Sequence, residues 1–251
     1  MEGSRTLVYF VSDTHLGLDH KDPAGREMRF VSFLRSIPKE STRALYMLGD
    51  IWDFWYEYRD VVPKGYVRVF GALADLIDAG VKVYFFPGNH DIWSYHYFEE
   101  LGIKVLSQPY LVEYDGRKFC LGHGDGLGDV SFGYRFLKSI FTCRPLQVLF
   151  STLHPWFAFR FGNSWSKGNR LSRDENYEFK GASEPLYQYA LEFSKKEKVD
   201  FFIFGHYHCK VDMTLPTGAR LLVMKDWMDD SDYLYFDGIS TFFGQVSNSE
   251  K

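Results

Sequence analysis

Leu7-Val8-Tyr9-Phe10-Val11-Ser12-Asp13-Thr14-His15 sets five apolar residues directly before a carboxylate and an imidazole two positions apart. A compact apolar run of that length reads as a strand buried on both faces. Working outward, Asp22-Pro23 starts a helix on which Phe30, Phe33, Leu34 and Ile37 recur at helical spacing. Ala44–Leu48 is a second strand. Val67, Phe70, Leu73, Ala74 and Ile77 mark a second helix that stops at Gly80, and Val81–Phe86 is a third strand. This βαβαβ order predicts an α/β fold with parallel strands, whose functional groups gather in loops at the strands' carboxyl ends.

The second half changes character. Tyr110–Tyr114, an Asp115-Gly116 turn and Lys118–Leu121 form a hairpin pattern. Phe201–Phe204, Val211–Leu215, Arg220–Met224 and Tyr233–Phe236 read as further strands, with turns at Pro216-Thr217-Gly218 and Asp237-Gly238. Pro185–Lys196 is a helix carrying Leu186, Tyr189, Ala190 and Phe193. Between them, residues 130–173 differ from both flanks. No repeat and no low-complexity linker interrupts the chain, so one domain spanning 1–251 with one insertion at about 130–173 is expected.

Composition narrows the function. Of 251 residues, 45% are apolar and 25% charged, which excludes a disordered chain. A net charge of −4 argues against a nucleic-acid partner. Cys120, Cys143 and Cys209 form neither CxxC pairs nor an even framework, as in a reducing compartment. Leu7–Val11 is too short for a signal-peptide core, and no apolar stretch reaches transmembrane length. A cytoplasmic location is expected.

Five short motifs fall where strands stop: Asp13-Thr14-His15, Gly49-Asp50, Gly88-Asn89-His90-Asp91, Gly122-His123-Gly124-Asp125 and Gly205-His206-Tyr207-His208. Alternate residues of an extended segment point the same way, so both members of Asp13-x-His15, or of His206-x-His208, can reach one site. Singly, each motif is weak: an aspartate after a strand is often a helix cap, and a histidine beside glycine is often a core residue. Jointly they hold five of the eight histidines, and a bland reading of all five fails. Imidazole with carboxylate and no thiolate suits Mn²⁺, Fe²⁺ or Zn²⁺.

This ordered set resembles the calcineurin-like metallophosphoesterase superfamily. The resemblance implies a four-layer α/β/β/α sandwich with two divalent metal ions at the strand ends. Carried over, Asp13, His15 and His208 would hold one ion, and Asn89, His123 and His206 the other, with Asp50 bridging. Two such cations activate a shared water and clamp phosphoryl oxygens during in-line attack. His90 would stabilise or protonate the leaving oxygen. Asp91 has two open readings: it orients that imidazole, or it caps a short helix through Tyr95–Glu100. Asp125 has the same choice between supporting the site and capping.

Residues 130–173 carry seven basic side chains and no acidic one, leaving the remainder of the chain at −11. Phe132, Phe136 and Ile140, and Leu146, Phe150 and Leu153, fall at helical spacing. Aromatic bulk with lysine and arginine suits a lipid pocket or a membrane-surface helix; a buried helical pair with solvated arginines is the alternative. A phosphoesterase with such an insertion after Gly-His-Gly-Asp is similar to the UDP-2,3-diacylglucosamine diphosphatase family. That resemblance implies a UDP-linked diacylated glucosamine lipid as substrate and attachment to the inner face of the cytoplasmic membrane. It also implies a lid over the acyl chains, with Ser166, Lys167, Asn169, Arg170 and Arg173 gripping the sugar phosphate. His90 departs from the family, many of whose members carry arginine there. Two other readings are a hydrolase of soluble nucleotides or phosphoproteins, and a silent scaffold of the same fold.

Overall fold

The computed structural model describes residues 5–129, 131–171 and 177–246. Strands β1 (Leu7–Val11), β2 (Thr42–Met47) and β3 (Lys82–Phe85) pair in parallel, linked by helices α1 (Pro23–Ser36) and α2 (Val67–Asp78). Asp22 caps α1 by accepting from the Gly25 amide, with Pro23 in its first turn. A four-residue helix α3 (Tyr97–Glu100) leads to β4 (Lys104–Val105), parallel to β3, and then to the hairpin of β5 (Tyr110–Tyr114) and β6 (Arg117–Leu121). Three helices follow: α4 (Phe132–Thr142), α5 (Arg144–Ser151) and α6 (Pro155–Leu171). The chain closes with α7 (Pro185–Ser194), β7 (Phe201–Phe204), β8 (Val211–Thr214), β9 (Arg220–Val223), β10 (Asp232–Phe236) and β11 (Thr241–Gln245).

These strands form a six-stranded sheet, β11-β10-β1-β2-β3-β4, and a five-stranded sheet, β5-β6-β7-β9-β8. Side-chain alternation sorts the core into layers. Val8, Phe10, Ala44 and Tyr46 face inward and meet Phe119, Leu121, Ile203 and Leu222 of the second sheet. Val11, Leu45 and Met47 face outward onto Phe30, Phe33, Leu34, Leu73 and Leu76 of α1 and α2. Cys120, Phe202, Phe204 and Leu221 turn outward onto Leu186 and Ala190 of α7. Helix, sheet, sheet, helix is the expected four-layer order. Between the two sheets, Tyr46 and Tyr114 satisfy each other through a 2.6 Å hydroxyl hydrogen bond across the sandwich.

Strands β4 and β11 have no counterpart in the sequence reading. Both are edge strands, and β4 is only two residues long. The hydroxyl, glycine and amide of Thr241, Gly244 and Gln245 hide the apolar signal of β11.

Candidate metal centre and its lid

Every motif lies at a strand's carboxyl end, along one rim of both sheets. Asp13 and His15 follow β1, Asp50 follows β2, Asn89 and His90 follow β3, His123 follows β6, and His206 and His208 follow β7. Asp13, His15, Asp50, His206 and His208 all have positive φ, and they make up five of the eight non-glycine residues so strained among the described residues. Each costs on the order of 1–3 kcal/mol, a strain that clusters where function fixes the backbone. Two glycines permit the crowding: a Cβ on Gly205 would collide with the Asp13 carboxylate, and one on Gly88 with that of Asp50.

Among the described residues the side chains converge in three overlapping groups; one is His15, Asp53 and His90, and the other two share Asp50. Asp13, His15, Asp50 and His208 place candidate ligand atoms within 4.8 Å of one another, as do Asp50, His123 and His206. Asp50 belongs to both. His15 Nε2 lies 3.3 Å from His208 Nε2, His208 Nε2 lies 3.2 Å from Asp13 Oδ1, and His123 Nε2 lies 3.3 Å from both Asp50 Oδ2 and Asn89 Oδ1. All seven sequence-derived candidates therefore come together.

The donor set fits divalent cations, because three imidazoles are held by their outer nitrogens. Nδ1 of His123 faces the Leu48 carbonyl at 2.8 Å, Nδ1 of His15 faces Asp53 Oδ1 at 3.2 Å, and Nδ1 of His208 faces Asp226 Oδ2 at 3.4 Å. A proton on each Nδ1 answers those acceptors and turns Nε2 toward the centre, the tautomer that a metal needs. Burial disfavours charge on both Asp50 and His123, yet their attraction prevails. It holds the Asp50 carboxyl well below the usual range and raises His123 to about 10. A cation bound here takes the place of the proton on Nε2.

Asp91 does neither thing the sequence suggested. Its carboxylate accepts from the amides of Gly88 (2.7 Å), Ile51 (2.8 Å), Asp50 (3.2 Å) and Trp52 (3.2 Å), tying the β2 loop to the β3 loop. Helix α3 is capped at His96 instead. Burial first, then the Asp50 charge, pushes the Asp91 carboxyl up to about 7 despite those amides. Replacing Asp91 with alanine strands four buried amides at about 1–3 kcal/mol each before relaxation. A stability loss of about 3–5 kcal/mol and a Tm drop of roughly 10–15 °C are expected. A thermal melt within about 2 °C of wild type would contradict this role.

The partner of His90 is Asp53, which sequence reasoning missed. His90 Nδ1 lies 2.9 Å from the Asp53 carbonyl and 3.6 Å from its carboxylate. Asp53 therefore backs both His15 and His90. The only available signal was its place three residues after Asp50, inside the same loop. Asp226 had a similar faint signal, a carboxylate just past the end of β9.

The three helices of the insertion sit over this rim, and two of them, α6 and α4, reach the motif side chains themselves. Ala158, Gly162 and Ser166 form the buried face of α6; a Cβ on Gly162 would strike the Phe54 ring, so the helix rests directly on it. Ser166, expected to grip substrate, lies with its hydroxyl 3.2 Å from His90 Nδ1. On α4, the Tyr134 hydroxyl and the Lys138 ammonium each reach Asp125 Oδ2 at 2.6 Å. Burial alone would raise the Asp125 carboxyl; the charges of His123, His206 and Lys138 outweigh it and hold it low. Asp125 thus joins the lid to the His123 loop and caps no helix. Lys167, Asn169 and Arg170 fall on α6 with side chains outside the described residues, and Arg173 lies outside them altogether.

The buried-pair alternative for the insertion does not hold. Helices α4 and α5 bury no residue, and Phe132, Leu149 and Phe157 are 79%, 65% and 62% exposed. Beneath the helices, a cavity of about 140 Å³ runs from Asn89 and His90 to Phe54, Trp93, Phe141 and Trp165. A second cavity of similar size shares those four aromatic walls and extends to Leu146 and Phe150.

A carboxylate shared between two imidazole-carboxylate groups at the rim of an α/β/β/α sandwich defines a dinuclear phosphoesterase centre. The calcineurin-like phosphoesterase family model matches residues 6–210, and the chain belongs to that family. Among curated relatives, the UDP-2,3-diacylglucosamine hydrolase of Porphyromonas gingivalis is 35% identical, covering 98% of this chain and all of the relative. The proteins of that name from Neisseria gonorrhoeae and Aeromonas salmonicida are 30% and 29% identical, over 94% and 90% of this chain and 96% and 87% of theirs.

Proposed function

We propose that this phosphoesterase hydrolyses UDP-2,3-diacylglucosamine at the α-phosphorus, giving UMP and 2,3-diacylglucosamine 1-phosphate. The observation that carries the proposal is the aromatic corridor that starts at His90 and Asn89 and runs under the lid. A hydrolase of soluble nucleotides has no use for such a corridor, whereas acyl chains fill it. The names of the relatives agree with this substrate.

Asp13, His15 and His208 would hold one ion and Asn89, His123 and His206 the other, with Asp50 between them; Mn²⁺ suits this thiolate-free set well. Bound there, the two ions supply an activated water and a clamp for the phosphoryl oxygens. The chain does the remainder. Asp53 and Ser166 hold the His90 ring at Nδ1, which leaves Nε2 to meet the departing oxygen. Lys138, at the mouth of the corridor, places positive charge beside the sugar phosphate. Lys167, Asn169, Arg170 and Arg173 would add to that grip.

Turnover of the diacylated substrate by Mn²⁺-loaded protein, compared with UDP-glucosamine, tests the reading. A strong preference for the lipid is expected, and equal rates would refute it. The exposed apolar faces of α4 and α5, with Arg135 and Arg144, would rest on an anionic bilayer as a peripheral contact at the cytoplasmic face. No helix among the described residues is long and apolar enough to cross a membrane. Flotation with anionic vesicles should carry the protein upward, and its absence from the floated fraction would exclude the contact.

A further inference from the structure

A UDP-linked lipid parts at the α-phosphorus into two unlike halves, and the corridor under the lid suits only the acylated one. Beyond Phe54 opens a separate cleft of about 690 Å³, within the size range of small-ligand sites. Phe54 lines both spaces, so one ring, with α6 behind it, divides them. The cleft begins at Leu16 and Gly17, the residues directly after His15, and therefore adjoins the metal centre.

Its chemistry differs from that of the corridor. Lys64 and Arg160 line it, and no carboxylate does among the described residues. Trp156 offers an exposed indole face, with the Arg160 guanidinium carbon 5.6 Å from the ring centroid. The floor is fixed: the Tyr66 hydroxyl donates to the Leu16 carbonyl at 3.3 Å, and Gly17, at φ +92°, leaves room for it. Two cationic donors beside a flat aromatic face answer a ligand with a planar base whose carbonyls, and a sugar whose hydroxyls, accept hydrogen bonds. An acyl chain has neither.

We infer that this cleft binds the nucleoside end of the substrate's UMP half, with Trp156 against the base and Lys64 and Arg160 donating to the base carbonyls and ribose hydroxyls, while the one phosphate of that half stays over the metal centre. The inference rests on the UDP-linked substrate proposed above. It places the two halves on opposite sides of Phe54, with the scissile bond at the metal centre between them.

The test is inhibition of the Mn²⁺-loaded full chain by UMP and by inorganic phosphate, read with a small chromogenic phosphodiester. In wild type, UMP should bind at least about tenfold more tightly than phosphate, since only UMP reaches the cleft. Lys64→Glu and Arg160→Glu should each weaken UMP by about tenfold or more, and Trp156→Ala by about fivefold or more. Phosphate inhibition should stay within about twofold in all three. All three positions are on the surface, so the variants should fold. UMP no tighter than phosphate, or UMP inhibition unchanged in every variant, would overturn the assignment. A loss of acyl-length dependence in these variants would give the cleft to an acyl chain and overturn it equally. Hydrolysis of the diacylated lipid by the same wild-type preparation keeps the two readings apart. Turnover there with a failed UMP result removes only the cleft assignment, and no turnover removes the substrate reading.

Discussion

Asp50→Ala is expected to bring turnover below detection while the protein stays folded, and to lower bound metal from two ions to one or none. Asp50 belongs to both ligand groups, so its loss removes the one carboxylate that both ions share. Without the pair, nothing supplies both the activated water and the phosphoryl clamp. The fold should survive, because among the described residues the carboxylate's one backbone hydrogen bond is from the His90 amide at 2.9 Å, and the sandwich core lies apart from it. Metal content by elemental analysis, beside a thermal melt, separates loss of the centre from loss of the fold. A variant with full activity, or one that retains two ions, would contradict the bridging role.

Phe141→Asp is expected to abolish the preference for long acyl chains and to leave a small diester unaffected. Phe141 packs edge-on against Trp93 and Trp165, with ring centroids at 5.2 and 4.8 Å, at the junction of the two cavities. In wild type, each buried methylene contributes about 0.8 kcal/mol, so kcat/KM should rise roughly tenfold per two carbons until the corridor is full. Six carbons would amount to about 5 kcal/mol before ordering costs. A carboxylate at this junction puts an ion in the path of the chains, and its desolvation cancels several of those increments. The seven proposed ligands lie outside the insertion, so hydrolysis of a chromogenic diester should change less than about twofold. The measurement is kcat/KM across an acyl series in both proteins. Parallel slopes would show that the lid is only a cap and would point to a soluble substrate.

The sheet core and the metal centre were legible because both are written locally. Leu7–Val11 and Phe201–Phe204 are unbroken apolar runs, and each ends on its own ligand pair, so strand and site announce one another. Contacts between separate elements were not legible. Nothing near Asp91 in the chain reveals that its carboxylate serves four amides, three of them in residues 50–52. Asp53 and Asp226 act on His15 and His208 only once the loops have folded together. The lid shows the same limit. Two of its three helices, α4 and α5, are legible from the spacing of their apolar residues, but α6 is not, nor is whether those side chains are covered. The buried stripe of α6 consists of Ala158, Gly162 and Ser166, residues chosen for small size, which leave no hydrophobic signature. The sequence singles out Ser166 for a role toward substrate, and the fold sets it in the wall of the corridor with its hydroxyl 3.2 Å from His90 Nδ1, a contact that the sequence does not show.

The reaction of UDP-2,3-diacylglucosamine in ¹⁸O-enriched water, with both products examined by mass spectrometry, tests the central claim most directly. Attack at the α-phosphorus, over a centre bridged by Asp50 and with the acylated half leaving past His90, should place one ¹⁸O in UMP and none in 2,3-diacylglucosamine 1-phosphate. Label in the lipid phosphate, or no cleavage of the lipid by the metal-loaded protein, would contradict it.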